Sequence, residues 1–205
     1  MFDYRRFYAM GETFVRGAFR VHQLGGDLYE LFAIEAGELE PSDALRFHHD
    51  QGSRLKDVIG TTSATVLYSD RLIGVLDSGG FTGWRTYAVE VYDEVGSAVP
   101  GYQGLVVTGR SGPIVRSLSR AMVVPPPVPA GKAMPHWIGL RFVPETWDGS
   151  DVFRPAGTLW TLVTQEVRDS LVAARLTGLN LRRVTEIEMA LDEEEREEYE
   201  RQQQQ

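Results

Sequence analysis

The chain contains no cysteine, so disulfide bonds, cysteine zinc sites and thiol catalysis are excluded. Histidine is also scarce, with four residues among 205. No apolar run reaches the roughly 18 residues that a membrane-spanning helix needs. The first ten residues, MFDYRRFYAM, lack the apolar stretch of a signal peptide. We therefore expect a cytoplasmic protein that has no membrane partner.

Most of the chain has little net charge. The formal charge is −8, but residues 186–205 hold nine acids and two arginines, which leaves the remainder close to neutral. Nucleic-acid binding needs a basic surface, so we expect no nucleic-acid partner. A hydrophobic content of 42% is enough for an ordinary packed core.

The clearest pattern is a strand–helix–strand unit within residues 62–92. TSATVLY is rich in β-branched residues and predicts a strand. Ser69 is an N-cap residue type, and DRLIGVLDS after it has the apolar spacing of a short helix. Gly79-Gly80 should end this helix. WRTYAVEVY then predicts the returning strand, with YQGLVVTG as its hairpin partner.

A second unit of the same kind follows later in the chain. TLWTLVT predicts a strand, and Thr164 is an N-cap residue type. Gln165–Arg175 predicts a helix, and the residues expected on its apolar face are Val167, Leu171, Val172 and Leu176. LNLRRVTEIE predicts the returning strand.

A shift of 95 residues brings the two units into register. Duplication of one unit explains the match, but any two strand–helix–strand units share caps and apolar periodicity. The ungapped Thr-Gly match favours duplication. The matched pairs include Ser69 with Thr164, Leu76 with Leu171, and Thr82-Gly83 with Thr177-Gly178.

The other segments predict further strands and one ambiguous element. Two short strands that turn at Gly11-Glu12 are expected in residues 1–22, and another strand at Leu45–His48. LYELFAIEA fits either a strand or a short helix, and HWIGLRFV reads as a strand.

Together these patterns predict an α+β fold in four parts, with mixed or antiparallel sheets, a duplicated strand–helix–strand unit and an acidic C-terminal tail. Five of the ten prolines fall in residues 123–135, which excludes a helix or central strand there. This segment is therefore expected to be an extended connector, with a PxxP-type ligand as the alternative. The expected parts are an N-terminal half (1–122), the proline-rich connector (123–135), the second unit (136–190) and the acidic, glutamine-ended tail (191–205).

His48 and Asp50 form the first candidate for chemistry. On a strand they share one face, so they could ligate a metal or act in acid–base catalysis. Polar residues that end a strand before Gly52 are the simpler explanation. We assign no metal-ligating residue.

The second candidate is the segment WDGSDVF. Asp148 and Asp151 could form an acid–base pair, but Asp-Gly-Ser-Asp is also an ordinary turn, with Trp147 and Phe153 as aromatic anchors. We assign no catalytic or cofactor-binding residue. The hypothesis for these four residues is a partner-binding surface.

The segment from Tyr68 to Tyr92, which includes SDRLIGVLDSGGFTGWRTYAVEVY, resembles bacterial proteins of immunity protein family 11. The resemblance continues through WDGSDVF and the segment that ends in LTGL, and covers roughly residues 45–188. Members of this family are antidotes of polymorphic toxin systems, encoded beside their toxins. The motifs that carry the resemblance are structural.

This resemblance implies binding of a cognate toxin protein, with neither enzymatic activity nor a cofactor. The acidic tail would supply any electrostatic steering, because the rest of the chain is nearly neutral. Two alternatives remain open: a small enzyme that uses His48 with Asp50 or Asp148 with Asp151, and a non-catalytic adaptor that is recruited through the prolines or the tail.

Overall fold

The computed structural model describes residues 2–25, 27–62, 65–125 and 134–190, together with Arg201. Within these residues the chain has three helices and fourteen strands in three mixed or antiparallel sheets, which confirms the predicted α+β class. None of the described helices is long and apolar enough to cross a membrane. The helices are α1 (Leu28–Glu35), α2 (Asp70–Ser78) and α3 (Gln165–Ala173).

The largest sheet has six strands in the order β2-β3-β6-β7-β5-β4 and nearly closes into a barrel. Its edge strands approach each other at a bridge between Val21 and Thr61, where the Thr62 amide donates to the Val21 carbonyl at 3.1 Å. Its strands are β2 (Arg20–Gln23), β3 (Leu45–Gln51), β4 (Val58–Gly60), β5 (Val66–Ser69), β6 (Trp84–Tyr92) and β7 (Tyr102–Val107).

The second sheet has five strands in the order β13-β1-β12-β11-β8, and the third has three in the order β14-β10-β9. The second sheet contains β1 (Phe7–Glu12), β8 (Gly109–Ser111), β11 (Val152–Pro155), β12 (Thr161–Thr164) and β13 (Leu179–Arg183). The third contains β9 (Arg120–Val124), β10 (Met134–Ile138) and β14 (Glu188–Ala190).

The first predicted unit is confirmed in its main features. The Ser69 hydroxyl accepts a hydrogen bond from the Leu72 amide and caps α2. Gly80 takes a φ of +64° just beyond the helix. The strand before α2 begins at Val66, four residues later than predicted, and β6 pairs with β7 as expected. The ambiguous segment at 28–36 forms α1, because Asp27 caps it.

Other predictions need correction. No turn occurs at Gly11-Glu12, because both residues continue β1 and pair with β13. HWIGLRFV is a strand only to Ile138, since Gly139 takes a φ of +98°.

The second helix also differs in detail from its prediction. Thr164 occupies the N-cap position of α3, but its hydroxyl makes no capping bond to the helix. The helix ends at Ala173, and Arg175 has a positive φ of 52°. Val172 is 48% exposed, so it does not share the buried face of Val167 and Leu171.

The bounds of the two units coincide after a shift of 95 residues. This shift carries β5 onto β12 and α2 onto α3 at both ends of each element, and the first residue of β6 onto that of β13. It also carries β1 onto β7.

When one half is taken as β1 to β6 and the other as β7 to β13, the strand that completes each unit comes from the other half. β7 lies between β5 and β6, and β1 lies between β12 and β13, antiparallel to its neighbours in both cases. The registers agree as well: Ser69 pairs with Tyr102 as Thr164 pairs with Phe7. The first strands of the two halves are therefore exchanged.

A carboxylate at the start of β4 joins the two units. Asp57 accepts hydrogen bonds from the amide and hydroxyl of Thr177 at 2.7 and 2.8 Å, and from the Ser69 hydroxyl at 2.9 Å. Burial raises the pKa of Asp57, but these hydrogen bonds outweigh burial and leave the pKa below its ordinary value. Asp57 thus ties the cap of α2 to the turn that follows α3.

A second carboxylate makes the reciprocal contact. Asp151 accepts from the amide and hydroxyl of Thr82 at 2.9 and 3.0 Å, and the Thr164 hydroxyl lies 3.5 Å from it. Asp151 therefore ties the cap of α3 to the turn that follows α2. We call these two sets of contacts the reciprocal clamp.

The glycines after the two clamp threonines allow close approach of the backbones. Gly83 has a φ of +87° and Gly178 a φ of +75°. A Cβ atom would lie 2.1 Å from the Val152 carbonyl oxygen at Gly83, and 2.7 Å from the Val58 carbonyl oxygen at Gly178. Neither position has room for a side chain.

The helices of both units contribute to one core. Leu72 and Leu76 of α2 are fully buried in the same apolar cluster as Val167 and Leu171 of α3. Burial of each such side chain contributes roughly 1.5–3 kcal/mol, so the units stabilise each other.

Two predicted segments lie largely outside the described residues. They are the proline-rich connector, of which 126–133 are not described, and the acidic tail, of which only Arg201 is described. The described ends of the connector are strands: 123–124 end β9, and 134–135 begin β10, the middle strand of its sheet. The expectation that 123–135 holds no central strand is therefore wrong at 134–135. The division of the chain at 122, 135 and 190 stays a prediction.

Substitution of the clamp glycines tests the close approach. Gly83→Ala and Gly178→Ala should each lower the free energy of unfolding by about 2–4 kcal/mol, since overpacking adds to the cost of a left-handed alanine. Gly80→Ala is the matched control, because Gly80 has a similar φ but open space around it. It should cost only about 1–2 kcal/mol in urea denaturation. Equal losses at all three positions would contradict the close approach.

Candidate functional site

A cluster of aromatic rings surrounds the WDGSDVF segment. The Trp147 ring lies 5.1 Å from the Phe7 ring and 5.6 Å from the Phe153 ring, measured between centroids. Phe2 stacks on Phe7 at 5.3 Å. The Trp147 indole donates to the Ser150 carbonyl at 3.1 Å. The indole is therefore fixed in orientation while its residue remains partly exposed.

Asp148 organises the turn after Trp147. Its carboxylate accepts from the Arg110 amide at 2.7 Å and the Ser150 amide at 3.0 Å, and also from the Ser150 hydroxyl. Burial raises the pKa of Asp148, but the hydrogen bonds from Ser150 and Arg110 together have the larger effect. The pKa therefore lies below its ordinary value. The carboxylate is thus held ionised and bound within the turn.

Asp151 has a different set of partners on the same loop. Its hydrogen bonds go to the first unit's Thr82 in the reciprocal clamp. The two carboxylates therefore serve separate contacts, which is the arrangement of a structural turn. Their hydrogen bonds therefore give no indication that Asp148 and Asp151 share a proton.

A mostly apolar groove opens beside Trp147, with a volume of about 520 Å³. Phe2, Phe7 and Trp147 supply aromatic surface, and the rim is charged. Arg6 forms an ion pair with Glu166 on the rim. The groove is lined by Phe2, Asp3, Arg6, Phe7, Trp147, Gly149, Asp151, Thr164 and Glu166. We call this feature the Trp147 groove.

The rim carries more acidic than basic groups. Asp3 accepts two hydrogen bonds from the Arg5 side chain and one from its amide, which lower the pKa of Asp3 to about 2. Arg5 and Arg6 compensate Asp3 and Glu166, and Asp151 remains as the excess negative charge. A basic side chain with an aliphatic stem suits such a groove.

The four residues of the predicted partner surface take different positions. Trp147 and Asp151 line the groove, and Asp148 is exposed on the same loop. Phe153 is fully buried, so it can act only by supporting the Trp147 ring. Sequence reasoning missed Phe2, Arg6 and Glu166. The aromatic and basic N-terminus MFDYRRF was visible, but its proximity to Trp147 was not.

His48 and Asp50 lie on β3, and neither residue lines the Trp147 groove. The His48 ring is 5.8 Å from the His22 ring on the paired strand, and Asp50 is exposed. His49 lies on the other face, with its Nε2 2.6 Å from the Gly52 carbonyl oxygen. Among the described residues, no group of three or more His, Cys, Asp or Glu could hold a metal ion.

Comparison with models of protein families and with curated proteins finds no match to the chain. The resemblance to immunity protein family 11 therefore stays a prediction.

The structural role of Asp148 predicts a specific pH dependence. Because its pKa is lowered in the folded state, the ionised carboxylate stabilises the fold above about pH 4, and this stabilisation is lost as pH falls through the folded pKa. Asp148→Asn should therefore be less stable than the wild type at neutral pH, by about 1–3 kcal/mol. The difference should shrink as the pH is lowered below about 4 in urea denaturation. A constant difference across this range would contradict the assignment.

Proposed function

We propose that this chain is an immunity-type protein that binds and neutralises a cognate bacterial toxin in the cytoplasm by protein–protein contact. The observation that supports this proposal is the Trp147 groove, where a fixed, partly exposed indole lies beside carboxylates. Tryptophan is enriched among residues that dominate interface energies, and a groove with a rigid aromatic wall needs little reorganisation on binding.

The charges of the groove favour a basic partner segment. An arginine or lysine of the toxin could place its aliphatic stem against Trp147 and Phe2, with its charge near Asp151. The acidic segment 191–205 would act at longer range, by raising the association rate with a basic toxin. Its contribution should fall with salt concentration.

We also propose that the two strand–helix–strand units are copies of one ancestral unit. The shared bounds, the equal registers and the reciprocal clamp all support duplication. Two unrelated units could share caps and apolar periodicity. Shared origin explains better why each unit pairs with an equivalent strand in the same register, and why each makes the same contact with the other unit. The Trp147 groove includes Thr164 and Glu166 of the second unit and no residue of the first unit, so a partner would not bind both units in the same way.

Co-expression with the product of the neighbouring toxin-like gene tests the proposed function. The wild-type chain should restore growth of cells that produce this toxin and should bind it in calorimetry. Glu166→Arg should weaken the affinity at least tenfold, because charge reversal on the rim places like charges against a basic partner. The matched control is Glu30→Arg, in the first turn of α1 and outside the groove, and it should bind like the wild type.

The rival hypotheses give different results in the same assay. A chain with both His48→Ala and Asp50→Ala should still rescue growth, whereas an enzyme that used them would lose its effect. Deletion of 191–205 should slow association without abolishing rescue, whereas an adaptor that relies on the tail would lose its partner. The absence of any toxin-like neighbouring gene, or full binding by Glu166→Arg, would contradict the proposal.

A further inference from the structure

A second cavity, of about 220 Å³, lies between α1 and the two larger sheets. Glu35 and Phe32 of α1 form one side, Tyr68 of β5 and Leu105 of β7 form another, and Arg154 of β11 closes the third. The cavity shares no lining residue with the Trp147 groove. Nothing in the proposed toxin binding uses it.

Arg154 is the unusual member of this cavity. The residue is only 7% exposed, and its buried Nε has no hydrogen-bond partner among the residues that the structure describes. An unsatisfied buried donor on a charged group costs free energy, which a bound acceptor would recover. Burial lowers the pKa of Arg154, but a guanidinium stays protonated at neutral pH.

The other charged groups leave the cavity with one positive charge at neutral pH. Glu12 and Arg20 form an ion pair at 2.7 Å, and Arg20 also donates to the Thr61 carbonyl at 3.0 Å. Burial raises the pKa of Glu35 to about 8, against the opposing effect of Arg154, so Glu35 is mostly neutral at pH 7. The titratable and charged groups that influence Glu35 and Arg154 from the surrounding elements are Tyr68, Tyr87, Glu38 and Arg110.

Tyr68 offers a second donor. The residue is 3% exposed, lines the cavity, and its hydroxyl makes no hydrogen bond to any described residue. Burial raises its pKa, so the hydroxyl keeps its proton. A guanidinium fork and a hydroxyl that face one cavity match the oxygens of a carboxylate. Phe32 and Leu105 supply an apolar wall for the remainder of such a ligand.

We propose that this cavity binds a small organic monocarboxylate, whose carboxylate accepts hydrogen bonds from Arg154 and Tyr68 and whose apolar part lies against Phe32 and Leu105. One uncompensated cation favours a single negative charge over the two of a phosphate. A cavity of about 150 Å³ holds benzene, so this one suits a ligand of about 8–12 non-hydrogen atoms.

Calorimetric titration of the full chain with a panel of monocarboxylates tests the proposal. The probes are acetate, butyrate, benzoate and phenylacetate, each compared with its primary amide. At least one carboxylate should bind with a dissociation constant below about 10 mM, and its amide should bind at least about tenfold more weakly. Inorganic phosphate should bind more weakly than the best carboxylate.

Substitutions assign the effect to the cavity. Arg154→Met should abolish binding with no fall in melting temperature, because it removes an unpaired buried charge. The matched control is Arg46→Met on the exposed face of β3, which should bind like the wild type. Wild-type affinity should fall as pH rises from about 7 to about 9, since ionised Glu35 neutralises Arg154. Glu35→Gln should remove this pH dependence.

Three results would overturn the proposal. One is that no carboxylate binds within this range, and another is that an amide binds as tightly as its carboxylate. The third is that Arg154→Met binds like the wild type. The wild-type comparison of carboxylate with amide decides the matter even if the variant does not fold.

Discussion

The reciprocal clamp is the constraint on which the rest of the structure depends. Asp57 and Asp151 each join the cap of one helix to the turn that follows the other helix, through the hydroxyl and amide of a threonine. Hydrogen bonds to a charged group contribute roughly 1.5–3 kcal/mol each. Neither unit can open without breaking a contact of the other, so the two helices stay packed on one core.

The clamp also explains why the Trp147 groove is fixed in shape. Asp151 belongs to both features: its carboxylate holds Thr82, and the same residue lines the groove. Asp148 fixes the turn between Trp147 and Asp151. The contacts that close the fold therefore hold the groove in place, and under the proposed function this would lower the entropic cost of association.

Local features of the fold could be predicted from the sequence, whereas long-range pairings could not. The α2 cap at Ser69, the β6–β7 hairpin and the 95-residue shift follow from residue types and spacing within short windows. The insertion of β1 between β12 and β13 joins residues more than 150 positions apart. The residues of β1, FYAMGE, contain no feature that indicates which strands they pair with. The glycine in this strand was wrongly read as a turn for the same reason.

The candidate site shows the same limit. Trp147 and Asp151 were predicted from a turn flanked by aromatic residues, but Phe2 and Glu166 reach the groove only through tertiary structure. The cavity beside Arg154 was not predictable at all, because Glu35, Tyr68 and Arg154 come from three separate elements. Each of them, read alone in the sequence, resembles an ordinary surface or core residue.

A double-mutant cycle between Asp57 and Thr177 tests the reciprocal clamp most directly. The free energy of unfolding is measured for the wild type, Asp57→Ala, Thr177→Val and the double variant. We predict a coupling energy of about 1–3 kcal/mol, and the same for Asp151 with Thr82. The control cycle, Asp57 with Thr82, should give less than about 0.5 kcal/mol. A coupling as small as this between Asp57 and Thr177 would contradict the account.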